Sequence, residues 1–114
     1  MKGTYLGEFQ EIVLLAILLL DDNAYGVSIQ EEINDRLDRN ISRGSLHTAL
    51  SRLEEKGFVS SQMGEGSAVR GGRRKRFYTV TNHGKEALKE AKKHRDDLWQ
   101  AIPKISWDKR NLSY

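Results

Sequence analysis

The chain contains 114 residues, has no cysteine and carries a formal net charge of +3 at pH 7. This length suffices for one small domain and leaves no room for a large catalytic cleft, so it favours a binding module over an enzyme. The lack of cysteine excludes a disulfide framework and a thiolate metal site, and it suits a chain that works in a reducing interior.

The charge is divided unevenly along the chain. Residues 1–40 carry 3 basic and 8 acidic side chains, whereas residues 41–114 carry 16 basic and 8 acidic ones. A concentrated basic region is the electrostatic feature expected of a protein that binds a polyanion. A solvated lysine-rich surface would give the same composition, so charge alone leaves both interpretations open.

The first predicted element is a helix over residues 6–20 that is too apolar for a single buried stripe. Its apolar run over residues 12–20 is far shorter than the roughly 18 to 20 residues that cross a bilayer. The chain also lacks the basic start and the small-residue cleavage site of a signal peptide. These patterns predict a soluble cytoplasmic protein in which more than one neighbour covers the first helix.

A second helix is predicted over about residues 27–37, after a polar turn at residues 21–23. Its acidic outer surface argues against a path along phosphate groups, so its expected role is to hold the next helix at an angle. Ile41 lies in the connection that follows, and its strand character predicts that it covers a sheet edge.

The segment over residues 42–57, SRGSLHTALSRLEEKG, is predicted to be the helix around which the domain is organised. Four apolar residues have the helical spacing that buries one stripe, namely Leu46, Ala49, Leu50 and Leu53. Ser42 and Ser45 each fit the N-cap position, and Gly57 is a natural stop after the last turn. The opposite face carries no large apolar group, as close approach to base edges and phosphates requires.

A β-hairpin is predicted after this helix. Residues 58–63 lose the helical period and are typical of a strand, residues 64–72 form a glycine-rich connection, and residues 73–81 form a second strand. In that strand Tyr78 and Val80 lie on one side. Three helices followed by a basic hairpin is the order of a winged helix-turn-helix domain, so the predicted fold is mainly α with a small β-hairpin.

The last helix is predicted from residue 81 or 82 to about residue 102, where Pro103 ends it. Its apolar face, interrupted by one charged residue, Arg95, has only the first helix left to pack against. We therefore predict that the first and last helices form a homodimer interface. Its expected members are Leu14, Leu15, Ile17, Leu18, Leu88, Ala91, Leu98, Trp99 and Ile102. The predicted organisation is a DNA-binding domain over residues 1–81, a dimerisation helix over residues 82–102 and a flexible tail over residues 103–114.

Two groups of side chains are predicted to contact DNA. On the third helix they are Arg43, Ser45, His47, Thr48, Ser51 and Arg52, with the first turns closest to the bases. On the hairpin they are Arg70, Arg73, Arg74, Lys75 and Arg76, with Arg70 placed to enter a minor groove. Because side chains alternate along a strand, we expect about half of the hairpin cations to engage DNA. The alternatives are a solvated helix face and a charge cluster that keeps an edge strand soluble.

No arrangement of residues points to catalysis. The three histidines lie far apart, and none has a metal-ligand partner at helical spacing; in HRDD, His94 and Asp97 fit a solvated ion pair. Residues 64–72 lack the strand-to-helix context and the lysine-serine ending of a phosphate-binding loop. We expect neither an enzyme nor a bound metal or cofactor.

Four segments carry a family resemblance: LGEFQEIVLLAIL, AYGVSIQEEI, SLHTALSRLEEKGFV and GGRRKRFYTVTNHGKEAL. In this order they resemble the PadR family of bacterial transcriptional regulators, over about residues 6–88. The resemblance implies a winged-helix dimer that represses nearby promoters by binding palindromic operators. A single helix after the hairpin resembles the short branch of the family, whose longer members add a C-terminal helical domain.

The chain departs from the family pattern at two places. His47 stands where the family usually has a tyrosine in the recognition helix, and Gln62 or Met63 stands where many members have a tryptophan. Some short members bind flat hydrophobic cations between the subunits, against a tryptophan of the last helix. That resemblance implies a hydrophobic or aromatic inducer at Trp99, which lies about one turn beyond the usual position. The alternative for Trp99 is packing in the dimer core.

Two other functions remain open at the level of sequence. The first is a drug-responsive repressor that controls an export pump. The second is a winged-helix protein-interaction module that binds a partner through its first and last helices and has only weak, sequence-indifferent affinity for DNA.

Overall fold

The computed structural model describes residues 5–64 and 74–107. Its elements, in chain order, are helix α1 (Glu8–Leu20), helix α2 (Gly26–Leu37), helix α3 (Arg43–Glu55), strand β1 (Val59–Met63), strand β2 (Arg76–Val80) and helix α4 (Asn82–Ala101). Short 3₁₀ turns occupy Asp21–Asn23 and Lys104–Trp107. This order confirms the predicted fold of three helices, a hairpin and a long final helix.

Side-chain caps fix the starts of α3 and α4. The Ser42 hydroxyl accepts a hydrogen bond from the Ser45 amide at 3.0 Å, so Ser42 is the N-cap of α3. The Thr81 hydroxyl accepts from the Gly84 amide at 3.0 Å and donates to the Gly57 carbonyl at 2.7 Å. Each such cap contributes about 1 kcal/mol, because it satisfies an amide that has no partner within the helix.

The core lies between α1, α2, α3 and the inner face of the hairpin. The predicted apolar stripe of α3 is buried along its whole length. The largest fully buried side chains come from these three helices and from the residue just before β1: Phe58, Leu14, Ile17, Ile29, Ile33, Leu46, Leu53 and Val13. Burial of a Leu, Ile or Phe side chain contributes about 1.5–3 kcal/mol, so this cluster holds the domain together.

Three residues that we predicted at a dimer interface are buried in this core. Leu14 is 0% exposed, Ile17 is 2% exposed and Leu88 of α4 is 8% exposed, which corrects the prediction for all three. The reason is that the apolar residues of α1 cover two faces of the helix, and only one of these faces points outward. On that outer face Leu15 is 46% exposed and Leu18 is 42% exposed.

The sheet has two antiparallel strands, with Ser61 opposite Tyr78 and Met63 opposite Arg76. Tyr78 and Val80 are both buried, as their alternation predicted. β2 is shorter than the predicted strand over residues 73–81, and residue 73 lies outside the described residues.

An isolated bridge extends this sheet from the segment before α2. Tyr25 pairs with Phe77, and the Tyr78 amide donates to the Ala24 carbonyl at 2.9 Å. The prediction that Ile41 covers a sheet edge was therefore wrong. Tyr25 takes this place because its backbone is extended, with φ −134° and ψ 172°, immediately before α2 begins.

A paired charge joins α4 to α1. Glu11 on α1 is 7% exposed, and both of its carboxylate oxygens accept hydrogen bonds from Arg95 on α4, with Nη1 to Oε2 at 2.9 Å. The hydrogen bond to Glu11 raises the pKa of Arg95 above its ordinary value. Arg95 therefore interrupts the apolar face of α4 because a buried carboxylate lies opposite it.

None of the helices in the described residues is both long and apolar enough to cross a membrane.

The chain turns back after α4. Residues 104–107, which we predicted to be part of a flexible tail, form the second 3₁₀ turn. This turn places the Trp107 ring parallel to the Trp99 ring, with 5.5 Å between the centroids and 15° between the planes. The rest of the predicted tail, residues 108–114, lies outside the described residues.

Candidate nucleic-acid interface

The outer face of α3 is polar and open. All six residues of α3 that we predicted to contact DNA are exposed: Arg43, Ser45, His47, Thr48, Ser51 and Arg52. Gly44, in the first turn, has no atom within 4 Å of the position that a Cβ would occupy. The first turn of α3 therefore offers close access to its backbone, and all of the large apolar side chains of the helix lie behind it.

The hydroxyl groups of this first turn already have partners. The Ser45 hydroxyl donates to the Ser42 carbonyl at 3.1 Å and accepts from the Ser42 hydroxyl at 3.1 Å. Ser45 therefore belongs to the cap of α3 as well as to its outer face. His47, Thr48 and Arg52 lie further along the exposed surface.

A cleft of about 780 Å³ separates α3 from the hairpin. Its floor is apolar and includes Leu46, Leu50 and Tyr78. Five side chains that carry or can accept positive charge line its walls: Arg43 and His47 from α3, and Arg74, Lys75 and Arg76 from the hairpin. Burial in this floor raises the pKa of Tyr78, so its hydroxyl stays neutral. A basic cleft beside an exposed helix fits the phosphate backbone of a nucleic acid.

The described hairpin cations differ in how they are held. The Lys75 ammonium lies 4.1 Å from the centroid of the Tyr25 ring, which in turn packs edge-on against Phe77. Arg76 donates from Nη1 to the Ser61 hydroxyl at 3.0 Å, and that hydroxyl donates to Glu54 at 2.9 Å. Both cations therefore contact their own chain as well as the cleft.

The remaining hairpin candidates fall into two groups. Arg74 is exposed at the wall of the cleft. Arg70 and Arg73, which we also predicted to contact phosphate, lie outside the described residues.

Sequence reasoning missed how α2 holds the start of α3. The Gln30 amide donates to the Ile41 carbonyl at 3.0 Å and accepts from Arg43 Nε at 2.9 Å. One turn later on α2, the Asn34 side-chain oxygen accepts from the Ile41 amide at 2.8 Å. Gln30 and Asn34 are four residues apart and so share one face of α2. The four-residue spacing of these two polar residues, just before a predicted connection, was the sequence signal that could have revealed these contacts.

A second open surface lies on α1 and α4. Leu15, Leu18 and Leu88 line a groove of about 630 Å³, together with lysines of α4. Toward the end of α4, Leu98 is 70% exposed and Trp99 is 58% exposed. Of the predicted interface residues, Ala91 is half-buried and Ile102 is exposed. Leu15 and Leu18 on α1 and Leu98, Trp99 and Ile102 on α4 are thus large apolar side chains that the described chain leaves exposed.

The histidines do not gather into a site. His83 packs against the Phe58 ring, with 4.8 Å between the ring centroids, and His47 lies in the cleft beside α3. Within residues 5–64 and 74–107, no group of three histidine, cysteine, aspartate or glutamate side chains is placed to hold a metal ion.

Comparisons with known proteins identify the family. Residues 14–90 match the transcriptional regulator PadR-like family, and no curated protein matches the chain. Among solved structures, a PadR family transcription regulator from Clostridium difficile is 27% identical, with a TM-score of 0.66, over 81% of this chain and 92% of that one. PadR-type regulators from Eggerthella lenta (22% identical, TM-score 0.67, 89% and 88% covered) and Bacillus cereus (21%, 0.66, 81% and 84%) share the fold. The chain therefore belongs to the PadR-like family of transcriptional regulators.

Proposed function

We propose that this regulator binds a palindromic DNA operator as a homodimer and represses transcription from it. The observation that carries the proposal is the outer face of α3, which is exposed, polar and bordered by the basic cleft. A major groove admits one α-helix and presents hydrogen-bonding base edges to it. In the proposed complex the first turns of α3 face the bases, and the hairpin lies along the flanking phosphates.

The apolar surface on α1 and α4 supports the homodimer. Leu15 and Leu18 on α1 and Leu98 and Trp99 on α4 are large apolar side chains that the described chain leaves exposed. Large apolar side chains left exposed are typical of an interaction site, and a second copy that presents the same side chains buries both sets about a two-fold axis. Two α3 helices then enter successive major grooves about 34 to 36 Å apart, which requires a palindromic site. A dimer seated there excludes RNA polymerase from an overlapping promoter.

Fluorescence anisotropy of end-labelled DNA tests specific binding. The purified protein is titrated into a duplex from the region upstream of its own gene and into a shuffled duplex of equal length. Each titration is made at low and at physiological salt, because phosphate contacts alone give steeply salt-dependent binding. We expect a preference of at least about a thousandfold for the unshuffled duplex. Equal binding to both duplexes would contradict an operator-specific role.

Two variants and a matched control assign the binding to α3. Arg52→Ala and His47→Ala remove exposed side chains from the outer face of α3 and should weaken DNA binding while the protein stays folded. Arg36→Ala removes an exposed arginine that pairs with Glu32 on the acidic side of α2, and it should leave DNA binding unchanged. Unchanged affinity in both α3 variants would refute this assignment.

A further inference from the structure

Gln30 on α2 uses both ends of its side-chain amide at the start of α3. Its nitrogen donates to the Ile41 carbonyl at 3.0 Å, and its oxygen accepts from Arg43 Nε at 2.9 Å. The two contacts fix the orientation of the amide, because a flipped amide would place its oxygen against the Ile41 carbonyl. Gln30 is itself half-buried, so its position is set by the packing of α2.

Within the described residues, Arg43 is held through only one of its three guanidinium nitrogens, Nε. Its Nε donates to Gln30, whereas Nη1 and Nη2 donate to no group in the described part of the chain. Arg43 is the first residue of α3 and lines the basic cleft. A guanidinium held through Nε presents its Nη pair end-on. Such a pair matches two adjacent acceptors, either O6 and N7 of a guanine or two oxygens of a phosphate.

We propose that Gln30 is a positioning residue that orients Arg43 so that its Nη pair meets paired acceptors on DNA. The inference rests on the proposed DNA-binding function and adds a residue on α2 that does not itself touch DNA. Fixing the guanidinium before binding reduces the conformational entropy that the contact would otherwise lose. A lysine at this position has no Nε and cannot be held in the same way.

Asn34 provides a matched control. It holds the same turn as Gln30, because its side-chain oxygen accepts from the Ile41 amide at 2.8 Å. No hydrogen bond joins it to Arg43 in the described residues. Loss of Asn34 therefore loosens the α2–α3 turn without releasing the Arg43 guanidinium directly.

A double-mutant cycle separates positioning from a merely structural role. Gln30→Met and Asn34→Ala are each made with Arg43 present and in the Arg43→Ala background, and the affinity of each for the upstream duplex is measured by anisotropy. With Arg43 present, Gln30→Met should weaken binding by up to about tenfold, because the Arg43 side chain must then be ordered when DNA binds. In the Arg43→Ala background the same change should weaken binding less than about twofold. Asn34→Ala should weaken binding by the same factor in both backgrounds.

Arg43→Lys gives a second measurement that leaves Gln30 intact and keeps the positive charge. Positioning predicts that Arg43→Lys loses nearly as much affinity as Arg43→Ala. Affinity of Arg43→Lys close to wild type, or equal loss from Gln30→Met in both backgrounds, would overturn the positioning role. Wild-type protein that binds no DNA would instead overturn the proposed function itself.

The sequence of the duplex distinguishes the two acceptor types. If Arg43 meets a phosphate, Arg43→Ala should weaken binding to all duplexes alike and flatten the salt slope by about 0.9. If Arg43 meets a guanine, the loss should be confined to duplexes that contain that guanine, with a smaller change in slope. Either result supports positioning when it accompanies the coupling between Gln30 and Arg43.

Discussion

Helices α3 and α4 have the same design in sequence and different surroundings in the structure. Both begin at a hydroxyl cap, Ser42 in one and Thr81 in the other, and both have an apolar stripe and a glycine in the first turn. The stripe of α3 is buried along its whole length within the chain. The stripe of α4 is buried only in its first half, and its last large apolar residues are exposed.

This difference shows what an amphipathic pattern can and cannot indicate. The pattern predicts that one face of a helix is covered, but it does not say which molecule covers it. For α3 the cover is the domain core, so its other face is free to meet DNA. For α4 the described chain leaves the second half of the stripe exposed, and we propose that a second copy of the protein covers it.

The first prediction concerns Leu53, which is fully buried in the α3 stripe. Leu53→Ala leaves a cavity in the core and should lower the free energy of unfolding by about 2–5 kcal/mol. Urea denaturation followed by circular dichroism measures this loss. The α4 counterpart is Leu98→Ala, which should change the unfolding free energy of dilute protein by less than about 0.5 kcal/mol.

The same Leu98→Ala variant should weaken self-association, because Leu98 lies on the surface that we assign to the dimer. Sedimentation velocity over a range of concentrations measures this effect. The contrast between the helices would fail if Leu98→Ala destabilised monomeric protein as much as Leu53→Ala does. It would also fail if the variant associated as tightly as wild type.

The second prediction concerns Gly84, in the first turn of α4. A Cβ at this position would overlap the Phe58 carbonyl oxygen and lie 2.9 Å from Val80 Cγ1. Because a backbone atom cannot move aside cheaply, Gly84→Ala should lower the free energy of unfolding by about 1–3 kcal/mol. Thermal and urea unfolding measure the loss, and a variant as stable as wild type would contradict the close packing of α4 on Phe58 and Val80.

The third prediction concerns Gly44, the matching glycine of α3, whose Cβ position is open. Gly44→Ala should raise the free energy of unfolding by up to about 1 kcal/mol, since alanine favours a helix. The same methyl group should lower DNA affinity, because it stands on the surface that we assign to the bases. Gly7→Ala, which also faces open space, is the control and should leave DNA affinity unchanged. If Gly44→Ala bound DNA with wild-type affinity, the first turn of α3 would not be the part of the helix that contacts the bases.

The smallest expected effect concerns Tyr78, at the floor of the cleft beside α3. Burial raises its pKa, so the folded state favours the neutral hydroxyl. This contribution is fully present below the unfolded pKa of about 10 and is lost as the pH rises through the higher folded pKa. Wild-type protein should therefore lose more stability above about pH 10 than Tyr78→Phe does. Urea midpoints of both proteins on either side of that pH measure the difference, and parallel losses would contradict it.

Local signals predicted most of the fold. Helical spacing placed the buried stripe of α3, Ser42 was one of two caps predicted for its start, and Pro103 marked the end of α4. These features depend on residues within one or two turns of each other, so a single sequence reveals them. The exposed face of α3 followed from the same spacing, because residues that do not face the core must face outward.

The individual side-chain and backbone pairs that join distant segments were not predicted. The pair of Glu11 and Arg95 joins residues 84 positions apart, and the bridge from Tyr25 to Phe77 also joins two separate segments. Periodicity says nothing about which helix meets which. One signal was present, since each of two helices expected to pack together carries a lone charge in its apolar face, and these charges are opposite. Gln30 gave a weaker signal, because a polar residue beside a buried one is ordinary on any helix.

The stacked rings at the end of α4 have a practical consequence. The chain has two tryptophans, and both of them, Trp99 and Trp107, lie in that one stack. The cleft beside α3 is lined by no tryptophan. Intrinsic tryptophan emission therefore reports on a single place in the protein, remote in sequence from the proposed DNA-reading helix. A change in that emission when DNA binds would measure communication between the reading helix and the end of α4, without any attached dye.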